Sequence, residues 1–265
     1  MSTLKLRDTH YQQLDATTWY ASAQIITPSF LNYFDLLNNL QQLFNPNLLS
    51  KNKVEELRHI QWQYRIPTGS LSKREIAHRQ RQQQRTGVRL LLQLVLNKLE
   101  MIDNLNDASF PYRLANSQYY VCFSHTGAHN KVISNHHKKN KPFDYLDNKV
   151  AVVISAHRPV GIDIEINVVK WQVAQRFFHA NEMAILQTLP PMQRNIITKL
   201  LWQIKESFIK IYQYKLAQGL GKDYSYLIAD LIKEATSNSP LLDINDNKSN
   251  YRIVFLYFQQ TVIVY

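Results

Sequence analysis

One cysteine, Cys122, is all that 265 residues provide, which excludes a disulfide within the chain. No stretch approaches the ~20 apolar residues of a membrane span. The amino terminus has no apolar run of signal length, so a soluble, cytoplasmic protein without a membrane partner is expected. Charged residues are sparse at 19%, and with 45% hydrophobic content this argues against disorder and for one large core or two smaller ones. Zinc spacing is missing too. His129, His136 and His137 have no cysteine or carboxylate at ligand intervals, and the polar, basic stretch Asn130–Asn148 around them reads as a loop.

Acidic residues are the scarcer charge, 20 against 31 lysines and arginines, for a net charge of +11. Such a field suits an anionic small molecule or an acidic protein, whose encounter it speeds and orients. It would equally attract nucleic acid. The basic residues concentrate in Lys73–Arg89 and Lys131–Lys141, without the interleaved aromatics of a single-strand platform, and no nucleic-acid motif is present. Specific nucleic-acid binding is therefore not expected.

The few carboxylates are arranged in a pattern. Asp163 and Glu165 alternate with Ile162, Ile164 and Ile166, so a strand would send both carboxylates to one face and the isoleucines to the other. Two such neighbours repel unless a cation neutralises them, and oxygen ligands suit Mg²⁺ or Mn²⁺. The plain alternative is the polar side of a half-exposed strand. A metal-dependent nuclease is disfavoured, because such sites commonly put a glutamate and a lysine two apart on a strand, and position 167 is Asn167.

Farther on, Ile197, Leu201, Ile204, Phe208 and Ile211 recur at helical intervals and predict a helix over Met192–Tyr214. At about 3.6 residues per turn, Glu206 and Lys210 lie side by side on the face opposite that stripe. There a carboxylate could complete a metal site and an ammonium could hold a phosphate. An ordinary solvated ion pair has the same spacing.

Gly161-Ile-Asp163-Ile-Glu165, followed by Trp202-x-x-Lys205-Glu206-Ser207-x-x-Lys210, resembles the signature of the 4′-phosphopantetheinyl transferases. The likeness is to the larger monomeric type that activates nonribosomal peptide synthetases and related assembly lines, and it extends from about Leu71 to about Tyr226. Phe123-Ser124-His125-Thr126 looks like the family's Ser-His motif, which follows a short strand and contacts coenzyme A. Arg85 and Arg89 fall where the family has basic residues on an amino-terminal helix, here predicted over Lys73–Asn97 with Ser72 and Glu75 as a capping box. Arg176-Phe177-Phe178 with Glu182 is similar to the segment between the two metal motifs.

The resemblance implies an enzyme that moves the phosphopantetheine arm of coenzyme A to a serine of an acidic peptidyl, aryl or acyl carrier protein, releasing 3′,5′-adenosine bisphosphate. It implies Mg²⁺ on Asp163, Glu165 and Glu206, with Lys210 on the phosphate. Glu206 is also a candidate base. Arg85, Arg89, Ser124 and His125 would serve coenzyme A, Arg89 and His125 at its 3′-phosphate end. The setting would be nonribosomal peptide or siderophore biosynthesis. A basic binding protein without turnover is the alternative from another class.

Three departures from the pattern are visible. Ser109-Phe110-Pro111-Tyr112 replaces the family's Gly-Lys-Pro segment, removing a lysine that helps hold coenzyme A; the Asn130–Asn148 loop is inserted; and the segment before Leu71 is longer than the family core requires. Phe30, Leu31, Phe34, Leu37 and Leu40 suggest an amphipathic helix in that segment. The fold expected from the family is α+β and monomeric, with two similar halves at 1–157 and 158–265, each a small mainly antiparallel sheet on a long helix. Further strands are expected at Tyr251–Phe258 and Thr261–Tyr265.

Overall fold

The computed structural model describes residues 4–26, 73–127, 148–236 and 241–265. The expected helix at Phe30–Leu40, the cap at Ser72 and the histidine-bearing stretch 128–147 lie outside the described residues. Contacts divide the chain into two units, residues 6–25 with 84–265, and residues 1–5 with 26–83. In the smaller unit only residues 4–5, 26 and 73–83 are described, the last as the opening turns of a helix.

Alternation along the strands builds two sheets in the larger unit. The first is ordered β1-β2-β6-β5-β4-β3, from β1 (Lys5–Asp15), β2 (Thr18–Ile26), β3 (Leu105–Asn106), β4 (Tyr112–Leu114), β5 (Tyr120–Gly127) and β6 (Asn148–Ser155). The second is ordered β7-β10-β9-β8, from β7 (Gly161–Ile164), β8 (Leu241–Asp246), β9 (Tyr251–Leu256) and β10 (Thr261–Val264). From β2 onward the paired strands run antiparallel. The helices are α1 (Lys73–Lys98), α2 (Trp171–Phe177), α3 (Ala180–Thr188), α4 (Pro191–Tyr212), α5 (Leu216–Leu220) and α6 (Ile228–Thr236). The class is α+β, as expected.

Strands β9 and β10 of the second sheet feed two cores. On β9, Tyr251, Ile253 and Phe255 join Ile197, Leu201, Ile204 and Phe208 of α4, while Val254 and Leu256 join Ile162, Ile164 and Ile263 against Tyr20, Cys122, Ala151 and Val153 of the first sheet. The sheets are thus packed face to face, with α4 on the outer side of the second. Each aliphatic side chain buried this way contributes about 1.5–3 kcal/mol. On the outer face of the first sheet lies α1, whose Val88, Leu91, Leu92, Val95 and Leu96 are buried and whose Gly87 comes close to Ile25 and Val150. Pro191 suits the first turn of α4, having no N–H to satisfy there, and Gln213 ends the helix in the left-handed region with φ 58°.

The amino-terminal segment contributes strands that were not expected: β2 pairs with β6 from Thr18↔Ser155 to Gln24↔Lys149, and the Tyr20 hydroxyl donates to Thr261 Oγ1 across the two sheets at 3.3 Å. Two expectations are corrected. Asn148 opens β6 instead of closing a loop, with its side-chain oxygen accepting from Gln84 Nε2 at 3.4 Å. Ser124 and His125 stand inside β5 and not after it, since pairing with β6 continues to Gly127↔Asn148. Strand β8 had no counterpart among the expected elements.

Candidate active site

The site forms where β5, β7 and α4 converge. Pairing of β7 with β10 puts Asp163 opposite Val262, on the face toward α4, while Ile162 and Ile164 point into the core between the sheets. Close approach of helix to strand depends on Gly161. A Cβ there would lie 2.1 Å from the Ser207 carbonyl oxygen, well inside contact distance.

Lys210, one turn after Glu206, reaches back to the strand. Its Nζ donates to the Ile162 carbonyl at 2.6 Å, to Asp163 Oδ1 at 3.3 Å and to Ser124 Oγ at 3.4 Å. Ser124 in turn donates to Asp163 Oδ1 at 3.1 Å and accepts from Ile164 N at 3.1 Å. Two positions along β5, Thr126 donates to Glu165 Oε1 at 3.3 Å, an oxygen that also accepts from Asn167 N at 2.8 Å. The face opposite the apolar stripe of α4 is therefore not free, since β7 packs along it. Ser124 and Thr126 are brought to the two strand carboxylates, and not to open solvent.

Negative charge is in excess here. Burial pushes the Glu206 carboxyl above its usual range, and the Asp163 charge pushes it further, against the pull of Lys210. Burial likewise raises Asp163, with Lys210 opposing. Burial works to lower Lys210, but Asp163, Cys122 and Glu206 outweigh it, and the ammonium is held above its ordinary value. No described residue makes a hydrogen bond or ion pair to Glu206, while Asp163 and Glu165 each use a single oxygen in the contacts above.

The carboxylates here, with the Ser124 and Thr126 hydroxyls beside them, offer oxygen ligands of the kind a hard divalent cation takes. As the side chains stand, no three acidic or histidine groups among the described residues are placed to hold one ion between them. Lys199 adds a second cation nearby. Its Nζ donates to Gln260 Oε1 at 3.3 Å, and burial lowers it, with Lys149 acting the same way and Glu165 and Asp163 opposing.

The residues proposed for coenzyme A are less tightly assembled. His125 is exposed on the sheet face opposite Ser124, and burial of its ring, then Lys210 and Arg85, lower its pKa. Arg85 is thus its electrostatic neighbour on α1. Arg89 is engaged elsewhere, donating to Asp107 Oδ2 at 2.7 Å and to the Arg85 carbonyl at 3.2 Å.

Lys205 is the residue whose part the sequence reading left unassigned. Fully buried, it pairs with the equally buried Glu182 at 2.8 Å and also donates to the carbonyls of Leu220 and Lys222. Glu182 completes a junction, accepting from Tyr224 N at 2.8 Å and from His179 N at 3.0 Å, the latter as the capping box of α3. The signal was legible. Lys205 falls within the apolar stripe between Leu201 and Phe208, where a cation requires a buried partner.

The sequence model of the 4′-phosphopantetheinyl transferase superfamily matches residues 159–259, which contain Asp163, Glu165, Glu206 and Lys210. Over this segment the chain is similar to the 4′-phosphopantetheinyl transferase superfamily. It is similar to the 4′-phosphopantetheinyl transferase gsp of Aneurinibacillus migulanus, with 43% identity over 67 residues, 25% of this chain and 28% of that relative. The match thus spans little more than a quarter of the relative's length. No solved structure matches the chain significantly. Arg85, Arg89, Ser124 and His125 lie outside the stretch that the superfamily model covers.

Proposed function

We propose that the protein transfers the 4′-phosphopantetheine arm of coenzyme A to a serine of an apo carrier protein. The observation that carries this reading is the meeting of Lys210, Asp163 and Ser124 within 3.4 Å, beside a carboxylate, Glu206, that has no partner among the described residues. The superfamily match over the same segment supports it.

In the proposed reaction the serine oxygen attacks the phosphorus that bears the pantetheine arm. One P–O bond forms, the P–O bond within the diphosphate breaks, and 3′,5′-adenosine bisphosphate leaves. Such a transfer asks mainly for in-line positioning and neutralisation of oxygen charge. Lys210, kept protonated by the surrounding carboxylates, supplies positive charge where the phosphate oxygens gather. Glu206, raised by burial and by Asp163, is suited to accept the serine proton. Asp163, Glu165 and Glu206 would hold Mg²⁺, whose bound charge would neutralise the diphosphate. Arg85 and His125 would receive the 3′-phosphate. Their closeness supports a role for Arg85 there, whereas Arg89 would first have to leave Asp107.

The partners in this reading are coenzyme A and an acidic peptidyl, aryl or acyl carrier protein, and the relative's name favours the 4′-phosphopantetheinyl transferase reaction without naming the carrier. The test is incubation with coenzyme A, Mg²⁺ and several purified apo carrier proteins, followed by intact-mass measurement. Gain of one phosphopantetheine arm is expected. No gain on any carrier, with coenzyme A still bound, would replace this reading by that of a binding protein without turnover.

A further inference from the structure

We propose that Gln203 is a positioning residue that sets the offset between the helix carboxylate Glu206 and the strand carboxylates Asp163 and Glu165; the proposal rests on the transferase reading above. The Gln203 side chain is fully buried, and its amide nitrogen donates to the Gln260 carbonyl at 2.9 Å and to the Asp163 carbonyl at 3.4 Å. The Gln260 carbonyl also accepts from Glu165 N at 3.2 Å. One amide on α4 therefore bonds β7 at the Asp163 carbonyl and, just before β10, the Gln260 carbonyl that also holds Glu165 N. Glu206 follows three residues later on the same helix, so its distance from both strand carboxylates depends on this grip.

The other ties between α4 and β7 lie toward the opposite end of the strand. Ser207 abuts Gly161, and Lys210 donates to the Ile162 carbonyl at 2.6 Å. Gln203 reaches the Glu165 end by backbone contacts, where Lys199 of the same helix also donates to the Gln260 side chain at 3.3 Å. Gln203 does so at a cost, because its own Oε1 is buried with no hydrogen-bond partner. An apolar side chain of similar size would avoid that penalty while losing both grips. The arrangement is consistent with position being worth more than stability at this point, since displacement of a ligand or reacting group by about 1 Å is enough to lower a rate by about a hundredfold.

The test compares Gln203→Met, which keeps the volume and loses both donated bonds, with Gln203→Asn, which keeps the amide but shortens its reach. Ile197→Val, facing the other core, controls for plain destabilisation. Mn²⁺ affinity of the full chain with coenzyme A present is read by electron paramagnetic resonance of the free ion, and kcat and KM are read with an apo carrier protein. Both Gln203 variants are expected to weaken Mn²⁺ by about tenfold and to lower kcat with KM for the carrier unchanged. Ile197→Val is expected to lower the melting temperature and leave Mn²⁺ affinity alone. A folded Gln203→Met or Gln203→Asn that binds Mn²⁺ as the wild type does overturns the proposal. Asp163→Ala separates the two levels: if it binds Mn²⁺ like wild type, or if wild type binds none, the carboxylate site itself is misassigned and the role of Gln203 falls with it.

Discussion

Lys210 Nζ lies 3.3 Å from Asp163 Oδ1, and the same ammonium donates to the Ile162 carbonyl one residue earlier in the strand. The lysine is therefore anchored to β7 by main chain as well as by charge. Two carboxylates act on it, Asp163 by direct pairing and Glu206 by charge. Burial first, and the neighbouring carboxylates after it, raise Glu206 and Asp163 against the pull of this ammonium.

Lys210→Met should abolish most of the transfer while leaving the helix in place. Loss of one preorganised charge aimed at developing oxygen charge costs about 10²–10³ in kcat. Steady-state kinetics with coenzyme A and an apo carrier measures it, and a variant within threefold of wild type would contradict the role given to this residue.

Glu206→Gln should remove activity and increase stability at neutral pH. Because the folded pKa of Glu206 lies above its ordinary 4.5, the stability associated with its neutral form is fully present below about that pH and is lost as pH rises through the folded value. Glutamine removes this loss. Urea unfolding from pH 4 to pH 8 should show the gap between variant and wild type widening upward, and a gap that narrows would contradict the assigned environment.

Lys205→Met and Glu182→Gln should each destabilise the fold strongly, since each strands a buried partner, at about 3–5 kcal/mol. The double variant Lys205→Met with Glu182→Gln should cost less than the sum of the two single changes. Denaturant midpoints in a double-mutant cycle give the coupling, and simple additivity would show that the pair at 2.8 Å carries no energy of its own.

Arg85→Ala should raise the His125 pKa, and Arg89→Ala should not. Burial, Lys210 and Arg85 together hold the imidazole below its usual value, so removing one positive neighbour shifts its titration upward. Proton NMR of the His125 ring across pH 5–8 follows this directly. The same Arg85 variant should raise KM for coenzyme A if the 3′-phosphate binds there.

Much of this was legible along the chain. The isoleucine alternation puts Asp163 on the polar side of β7, with Glu165 one residue past its end, and the stripe Ile197, Leu201, Ile204, Phe208 and Ile211 is buried as its spacing requires. Lys205 was legible in principle, as a cation inside that stripe. Strands β1 and β2 were not, because β2 joins the sheet by pairing with β6 more than a hundred residues later and β1 follows at its edge, contacts that local pattern cannot encode. Nor could spacing separate Arg85 from Arg89. They stand one helical turn apart, and only the position of Asp107 decides which is engaged.

By itself the sequence determined which residue types share a strand face or a helix face, because those periods are properties of the local backbone. It also supplied the two motifs that lie within the segment similar to the 4′-phosphopantetheinyl transferase superfamily. Only the tertiary structure decided how those faces meet. Gly161 lets α4 approach β7, Gln203 bridges the helix to both strands, and Ser124 turns toward Asp163 while His125 turns away. Distances between residues forty positions apart follow from packing, and no local period contains them.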